Sequence, residues 1–282
     1  MGEAGIGRSG GPAPAARGSS RSEPSMRLNG KVAVVAGAGR GIGAAIARRF
    51  AAEGAAVVVA DAAAGAVVAA AIVESGGRAV HVAGDVTSAA GARALVAAAG
   101  REFGRMDVFV LGDGAAAWGR AAVDVSDDEL DRLLTAGLRG LRHAVRACVP
   151  AWEAAGGGVM IVLASSAGLR PRAGFVWPAA ASAAAIAAVK ALAVEYGPKG
   201  LRFNALCAEA AEAMPMATSM PAPIGAAEAG AAVVPPVRFA GGTPLGRAGR
   251  ASDAAEAAVF LASDESAFIT GAVLPVDGGG SV

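Results

Sequence analysis

Seven short runs rich in Val, Ile, Leu and Ala, each followed by a glycine-punctuated or alanine-rich stretch, constrain this chain more than any other feature. They occupy residues 31–36, 56–60, 79–83, 108–111, 159–164, 201–207 and 272–276. Runs of four to seven such residues bounded by Gly, Asp or Ser read as strands, and the intervening stretches have the length and spacing of helices. No two-residue turn joins consecutive runs as a hairpin, so each connection has to be a crossover, which makes the strands parallel. The expected fold class is therefore α/β: a doubly wound, Rossmann-type parallel sheet of about seven strands with helices on both faces, in a single domain.

Composition sets the limits of that reading. The chain has 282 residues and a formal net charge of +1. No Lys/Arg run forms a stripe able to neutralise phosphates, so nucleic acid is not an expected partner. No stretch reads as a membrane span, because charges, Gly or Pro interrupt the apolar segments, and a cytoplasmic location is expected. Residues 1–25 are rich in Gly, Ala, Pro, Ser and Arg, carry almost no large apolar side chain and lack the apolar core of a signal peptide. They are expected to be a disordered leader, with the folded domain spanning 26–282. Cys148 and Cys207 read as buried thiols, and two histidines, His81 and His143, are too few for a His-based zinc site or a Ser-His-Asp triad.

Such sheets bind ligands at the carboxyl ends of their strands. Directly after the first strand stands Gly37-Ala-Gly-Arg-Gly-Ile-Gly43, which opens the first helix. Glycines there let backbone N–H groups approach a pyrophosphate at the helix N-terminus. Gly37, Arg40, Gly41, Ile42 and Gly43 are accordingly candidate cofactor-binding residues. Asp61 ends the second strand, where a ribose 2′-hydroxyl needs an acceptor; it would repel a 2′-phosphate, so NAD(H) is expected rather than NADP. A helix N-cap is the other role open to Asp61.

From Met26 onward the chain resembles the short-chain dehydrogenase/reductase family. Besides the glycine turn, the resemblance rests on Asp85-Val-Thr, on Asp107-Val-Phe-Val, on Lys190-Ala-Leu-Ala-Val-Glu-Tyr-Gly-Pro-Lys-Gly-Leu-Arg-Phe-Asn204 and on a C-terminal signature. That signature comprises Pro244-Leu-Gly-Arg-Ala-Gly-Arg, Phe260-Leu-Ala-Ser-Asp264, Ile269-Thr-Gly and Val276-Asp-Gly-Gly279. The resemblance implies that Asp85 and Val86 contact the adenine. It also implies a Tyr that exchanges a proton with the substrate oxygen, a Lys four residues on, a Ser that polarises that oxygen and an Asn supporting a water relay. The whole chain holds one Tyr, Tyr196, and its lysines are Lys31, Lys190 and Lys199, so no Tyr-x-x-x-Lys exists. An ungapped register anchored on 190–197 puts Pro178 in the Tyr position, Ser182 in the Lys position and Ser165 in the Ser position, with Ser166 as the alternative; Gly137 stands for the Asn. Leu111-Gly-Asp-Gly114, Ala208-Glu209 and Ala213 also depart from the family pattern on the nicotinamide side.

Three functions stay open on this reading. One is a catalytically silent subunit partnering an active dehydrogenase of the same fold, or another copy, through the fourth and fifth helices, the latter nearly all small or aliphatic over 178–194. A second is a non-redox enzyme, a lyase, cyclase or isomerase, using Ser165, Asp113, Glu209 or Glu212. The third is an atypical NAD-dependent oxidoreductase. Residues 209–240 correspond to the family's substrate lid, and their methionines and prolines suit an apolar small-molecule ligand or a partner surface. Trp177, next to Pro178, is a candidate to fill space left by the Tyr.

Overall fold

The computed structural model describes residues 1–2, 26–62, 64–112, 121–208 and 243–282. The leader over 3–25, Asp113, Trp118, and the 209–242 segment with Glu209, Glu212, Ala213 and the lid methionines lie outside the described residues. Seven strands form one sheet in the order β3-β2-β1-β4-β5-β6-β7. They are β1 (Val32–Ala36), β2 (Ala56–Ala60), β3 (Arg78–Val82), β4 (Val108–Leu111), β5 (Gly158–Ala164), β6 (Leu201–Ala208) and β7 (Val273–Val276). Every pairing is parallel. Each expected strand is present within about one residue of its sequence limits, and the doubly wound fold stands.

The helices are α1 (Gly41–Ala52), α2 (Gly65–Glu74), α3 (Ala89–Phe103), α4 (Asp127–Leu134), α5 (Gly140–Ala155), α6 (Val176–Tyr196) and α7 (Ala251–Ala262). Two cores separate them by face. Val34, Val58, Phe109, Met160 and Phe203 point to the layer of α3, α5 and α6. Val35, Val57, Val110, Ile161 and Leu206 point to the layer of α1, α2 and α7. Because alternate residues of each central strand face opposite layers and both are covered, these strands read as continuous apolar runs rather than alternating ones.

Trp152 anchors the first layer. It is fully buried, donates its indole N–H to the Met106 carbonyl at 3.0 Å and meets Phe203 edge-on at 6.4 Å. A Cβ on Gly158 would occupy the indole's place, so glycine at the start of β5 is a condition of that packing. Asn204, also fully buried, spends both ends of its amide on the β6–β7 connection: Nδ2 donates to the Ile269 carbonyl at 3.1 Å and Oδ1 accepts from Ala272 N–H at 3.0 Å. Both free cysteines are buried. Burial pushes the Cys148 thiol well above its ordinary range, and burial together with nearby Asp277 pushes Cys207 up to about 11.

The fourth helix expected from the sequence is divided. A π turn over Thr135–Arg139 separates α4 from α5, and Gly137 lies in it. Along α6, the segment Val176–Lys199 is long and apolar enough by composition to cross a membrane, yet α6 lies on the sheet, with Ala185, Ile186, Val189 and Ala193 in the core.

Replacing Trp152 by Ala should cost about 3–5 kcal/mol, the range for deleting a buried large aromatic. Urea unfolding of the variant checks this through its midpoint; an unchanged midpoint would mean that Trp152 does not anchor the layer.

Candidate functional site

Strand order reverses between β1 and β4, so the crevice at the carboxyl edge opens there. Gly112, just past β4, donates its N–H to the Ala36 carbonyl at 3.1 Å, and a Cβ there would come within 2.6 Å of that oxygen. Its lack of a side chain lets the two strand ends lie side by side. On the β1 side the chain turns through Gly37 at φ 71° and Gly41 at φ 58°, conformations that glycine adopts without strain. A Cβ on Gly43 would overlap the Gly37 carbonyl, so the helix start can fold against the turn only with glycine. The N-cap of α1, Arg40, is extended and makes no side-chain cap bond, which leaves the first N–H groups of the helix open to an anion. Gly41 and Ile42 begin that helix, half-buried, and the Arg40 side chain is exposed.

Asp61 stands across this turn. Its Oδ2 accepts from Gly39 N–H at 3.2 Å, and a Cβ on Gly39 would collide with the carboxylate. It does not cap α2, whose N-cap is Ala64. The Asp61 carbonyl accepts from His81 Nε2–H at 2.9 Å, so the imidazole on β3 backs the strand end that carries the carboxylate. Sequence reasoning gave His81 no part in the site; its place at the fourth position of β3, level with the end of β2, is the signal that was available.

Asp85, exposed after β3, uses Oδ1 to accept from Thr87 N–H at 2.8 Å, and its carbonyl accepts from the Ser88 hydroxyl at 3.2 Å. Ser88 in turn caps α3 by accepting from Gly91 N–H at 3.0 Å. Asp85 thus shapes the β3–α3 turn. The Val86 side chain is 2% exposed and packs in the core.

The other half of the crevice is built by β5 and α6. Ser165 is exposed just beyond β5, and its hydroxyl accepts from Ala167 N–H at 3.1 Å, holding the turn that follows. Its peptide is gripped from α6: Ser182 Oγ accepts from Ser165 N–H at 2.7 Å and donates to the Ser165 carbonyl at 3.2 Å. Gly168 permits this contact, since a Cβ there would lie 2.9 Å from the Ser182 Cβ. Ser166 is fully buried and its hydroxyl has no partner among the described residues. Pro178 occupies the first turn of α6, where a missing N–H breaks no helical bond. Trp177 donates its indole N–H to the Ala122 carbonyl at 3.0 Å and, with Val125, Leu133 and Pro178, lines a small cavity beside α4. Gly137 faces open space, with room for a Cβ.

Where the chain's phenol and ammonium groups lie is decisive for chemistry. Tyr196 is the last residue of α6, eighteen positions beyond Pro178, which is about 27 Å along a helix. It packs against Phe203 and lies 5.3 Å under the Lys199 ammonium. Lys31 precedes β1 and binds Asp264 at 2.7 Å, at the amino edge of the sheet. Lys190 lies twelve positions along α6, about 18 Å from Pro178. None of these groups reaches the carboxyl edge, and among the described residues no cluster of His, Cys, Asp or Glu is able to hold a metal.

A parallel sheet that reverses at β1 and β4, with a glycine turn and an acidic residue at the reversal, defines the doubly wound class that takes dinucleotides. A family model described as enoyl-(acyl carrier protein) reductase matches residues 37–281. The chain is 39% identical to a 4-formylbenzenesulfonate dehydrogenase of Comamonas testosteroni, over 91% of this chain and 100% of that one. It is 35% identical to a 2,5-dichloro-2,5-cyclohexadiene-1,4-diol dehydrogenase of Sphingobium indicum, over 91% and 98%. Among solved structures it is similar to a 3-ketoacyl-(acyl-carrier-protein) reductase of Brucella melitensis complexed with NADH, with a TM-score of 0.78, 33% identity and coverage of 90% and 100%. The chain belongs to the short-chain dehydrogenase/reductase family.

Removing the Ser182 hydroxyl should leave the Ser165 N–H without its acceptor. Ser182→Ala is expected to lose about 1–3 kcal/mol and to speed amide exchange at Ser165. Equal exchange in the two proteins would show that the α6 contact does not hold this peptide.

Proposed function

We propose that this protein binds NAD(H) and is catalytically silent, acting as a subunit beside an active dehydrogenase of the same fold. The observation that carries the reading is the position of the chain's only tyrosine and of its three lysines, all remote from the crevice where Ser165 and Pro178 stand. Hydride transfer to a carbonyl needs a proton donor at the substrate oxygen. General acid or base groups each contribute about 10²- to 10⁴-fold, so a crevice without the phenol and the ammonium is expected to turn over slowly at best. The relatives named as dehydrogenases are a family prior for redox chemistry, which family membership alone does not carry over.

The residues present fit a dinucleotide. Gly37 and Gly41 at positive φ and Gly43 packed against the Gly37 carbonyl shape the turn, the open N-terminus of α1 suits a pyrophosphate, and Asp61 offers a carboxylate for a ribose diol. When bound, the cofactor would supply or accept a hydride; the chain's part is to hold it by Gly37 to Gly43 and to orient its adenosine half by Asp61 and the Asp85 turn. The Asp61 carboxylate would oppose a 2′-phosphate, which supports NAD over NADP. A soluble, cytoplasmic protein is part of this reading.

Fluorescence titration of the purified chain with NADH should saturate. Asp61→Ala should weaken the affinity roughly 10- to 100-fold, the scale of a charge-assisted hydrogen bond, and Gly43→Ala should abolish binding. With a panel of aldehydes and ketones, NADH oxidation should stay at background. Absence of binding at millimolar NADH would sink the cofactor half of the reading, and turnover at ordinary enzymatic rates would sink the silent half.

A further inference from the structure

His81 lies on β3, an edge strand of the sheet, paired with Val59 of β2. Val80 and Val82 pack into the layer of α3, α5 and α6, and Ala79 into that of α1, α2 and α7, so alternation turns the imidazole toward α2. There it meets the residues that lead from β2 into that helix. A Cβ on Gly65 would lie 2.7 Å from His81 Cδ2 and 3.0 Å from Asp61 Cβ, so glycine at the start of α2 is what admits the ring beside the aspartate. The β2–β3 ladder runs out as Asp61 N–H donates to the Val82 carbonyl at 3.4 Å. The Asp61 carbonyl, one step further on, is taken by the ring at 2.9 Å. A carbonyl only accepts, so Nε2 carries the proton, and a side chain does what a backbone N–H of β3 would do in a longer strand.

Asp61 is thereby held at both ends. Its carbonyl goes to His81 and its Oδ2 to Gly39 N–H at 3.2 Å, which leaves Oδ1 without a protein partner among the described residues. The start of α2 adds no tether of its own, since its N-cap, Ala64, makes no side-chain cap bond and its first turn carries no acidic residue. A hydroxyl has to come within about 2.5–3.0 Å of its acceptor, so rotation of the Asp61 peptide by enough to move the carboxylate about 1 Å would lose a bond to a ribose.

We infer that His81 is a positioning residue for cofactor recognition: it fixes the Asp61 peptide so that the free Oδ1 meets the 2′-hydroxyl of an adenosine ribose. This role rests on the NAD(H) reading and adds to it a residue that touches no cofactor. The imidazole acts through Asp61 alone, so its contribution should appear only with a ligand that carries the 2′-hydroxyl.

His81→Phe keeps a ring and drops the donor, whereas His81→Gln keeps an N–H able to reach the same carbonyl. Dissociation constants of the wild-type chain and both variants are measured by fluorescence for NADH and for its analogue with 2′-deoxyadenosine. His81→Phe should bind NADH about tenfold more weakly, the scale of one lost hydrogen bond, and bind the deoxy analogue within about twofold of wild type. His81→Gln should recover most of the NADH affinity. Equal weakening toward both ligands would show that the imidazole only supports the fold, and an unchanged NADH constant would show that it does nothing for the site; either result overturns the inference. Urea midpoints establish that the variants are folded. Should His81→Phe not fold, Gly65→Ala, which crowds the same ring, is measured in its place and should show the same loss confined to NADH. A wild-type chain that binds neither ligand at millimolar concentration overturns the cofactor reading and this role together, whereas wild-type binding with no selective loss in the variants overturns this role alone.

Discussion

Everything at the carboxyl edge hangs from β1. None of its five residues is more than 3% exposed, it is hydrogen-bonded on both sides, and the strand order reverses beside it. Its last residue, Ala36, receives Gly112 on one side and leads into the glycine turn on the other, so a single strand end fixes both walls of the crevice. A strand buried on both faces cannot slip in register without exposing apolar groups and burying polar ones. The site inherits that rigidity, with Asp61 and Gly39 in contact across the turn and His81 behind them.

The two halves of the crevice are built by different means. On the β1–β3 side, glycines let the turn close on itself, the start of α1 carries no side-chain cap, and acidic residues stand at the strand ends. On the β5–α6 side, side chains are turned to holding the protein itself together. Ser182 binds the Ser165 peptide, the Ser165 hydroxyl binds the next turn, and the Trp177 N–H binds Ala122. The former arrangement suits a ligand, and the latter suits a scaffold.

Much of this was legible in the sequence because the signals are local. Strand limits followed from short apolar runs bounded by glycine or acid, and the glycine turn from its place between a strand and a helix. The break at 135–139 was not legible, since nothing in the residues Thr-Ala-Gly-Leu-Arg marks a π turn. Nor were the partners of single side chains. Val86 reads as an adenine contact by its place in a motif, but its side chain is spent on the core, while Ser182 reads as a vacated position and holds two hydrogen bonds. Contacts between residues 17 or 20 positions apart depend on three-dimensional register that periodicity does not carry.

The Ser182 contact makes the present arrangement resistant to reversal. A long cationic side chain at 182 would forfeit both bonds to the Ser165 peptide, in a place where Gly168 already sits close against the helix. The β5 turn would have to find other support before such a residue could be accommodated. Substitutions in this corner are therefore coupled, and the cost of each depends on which of the others is already in place.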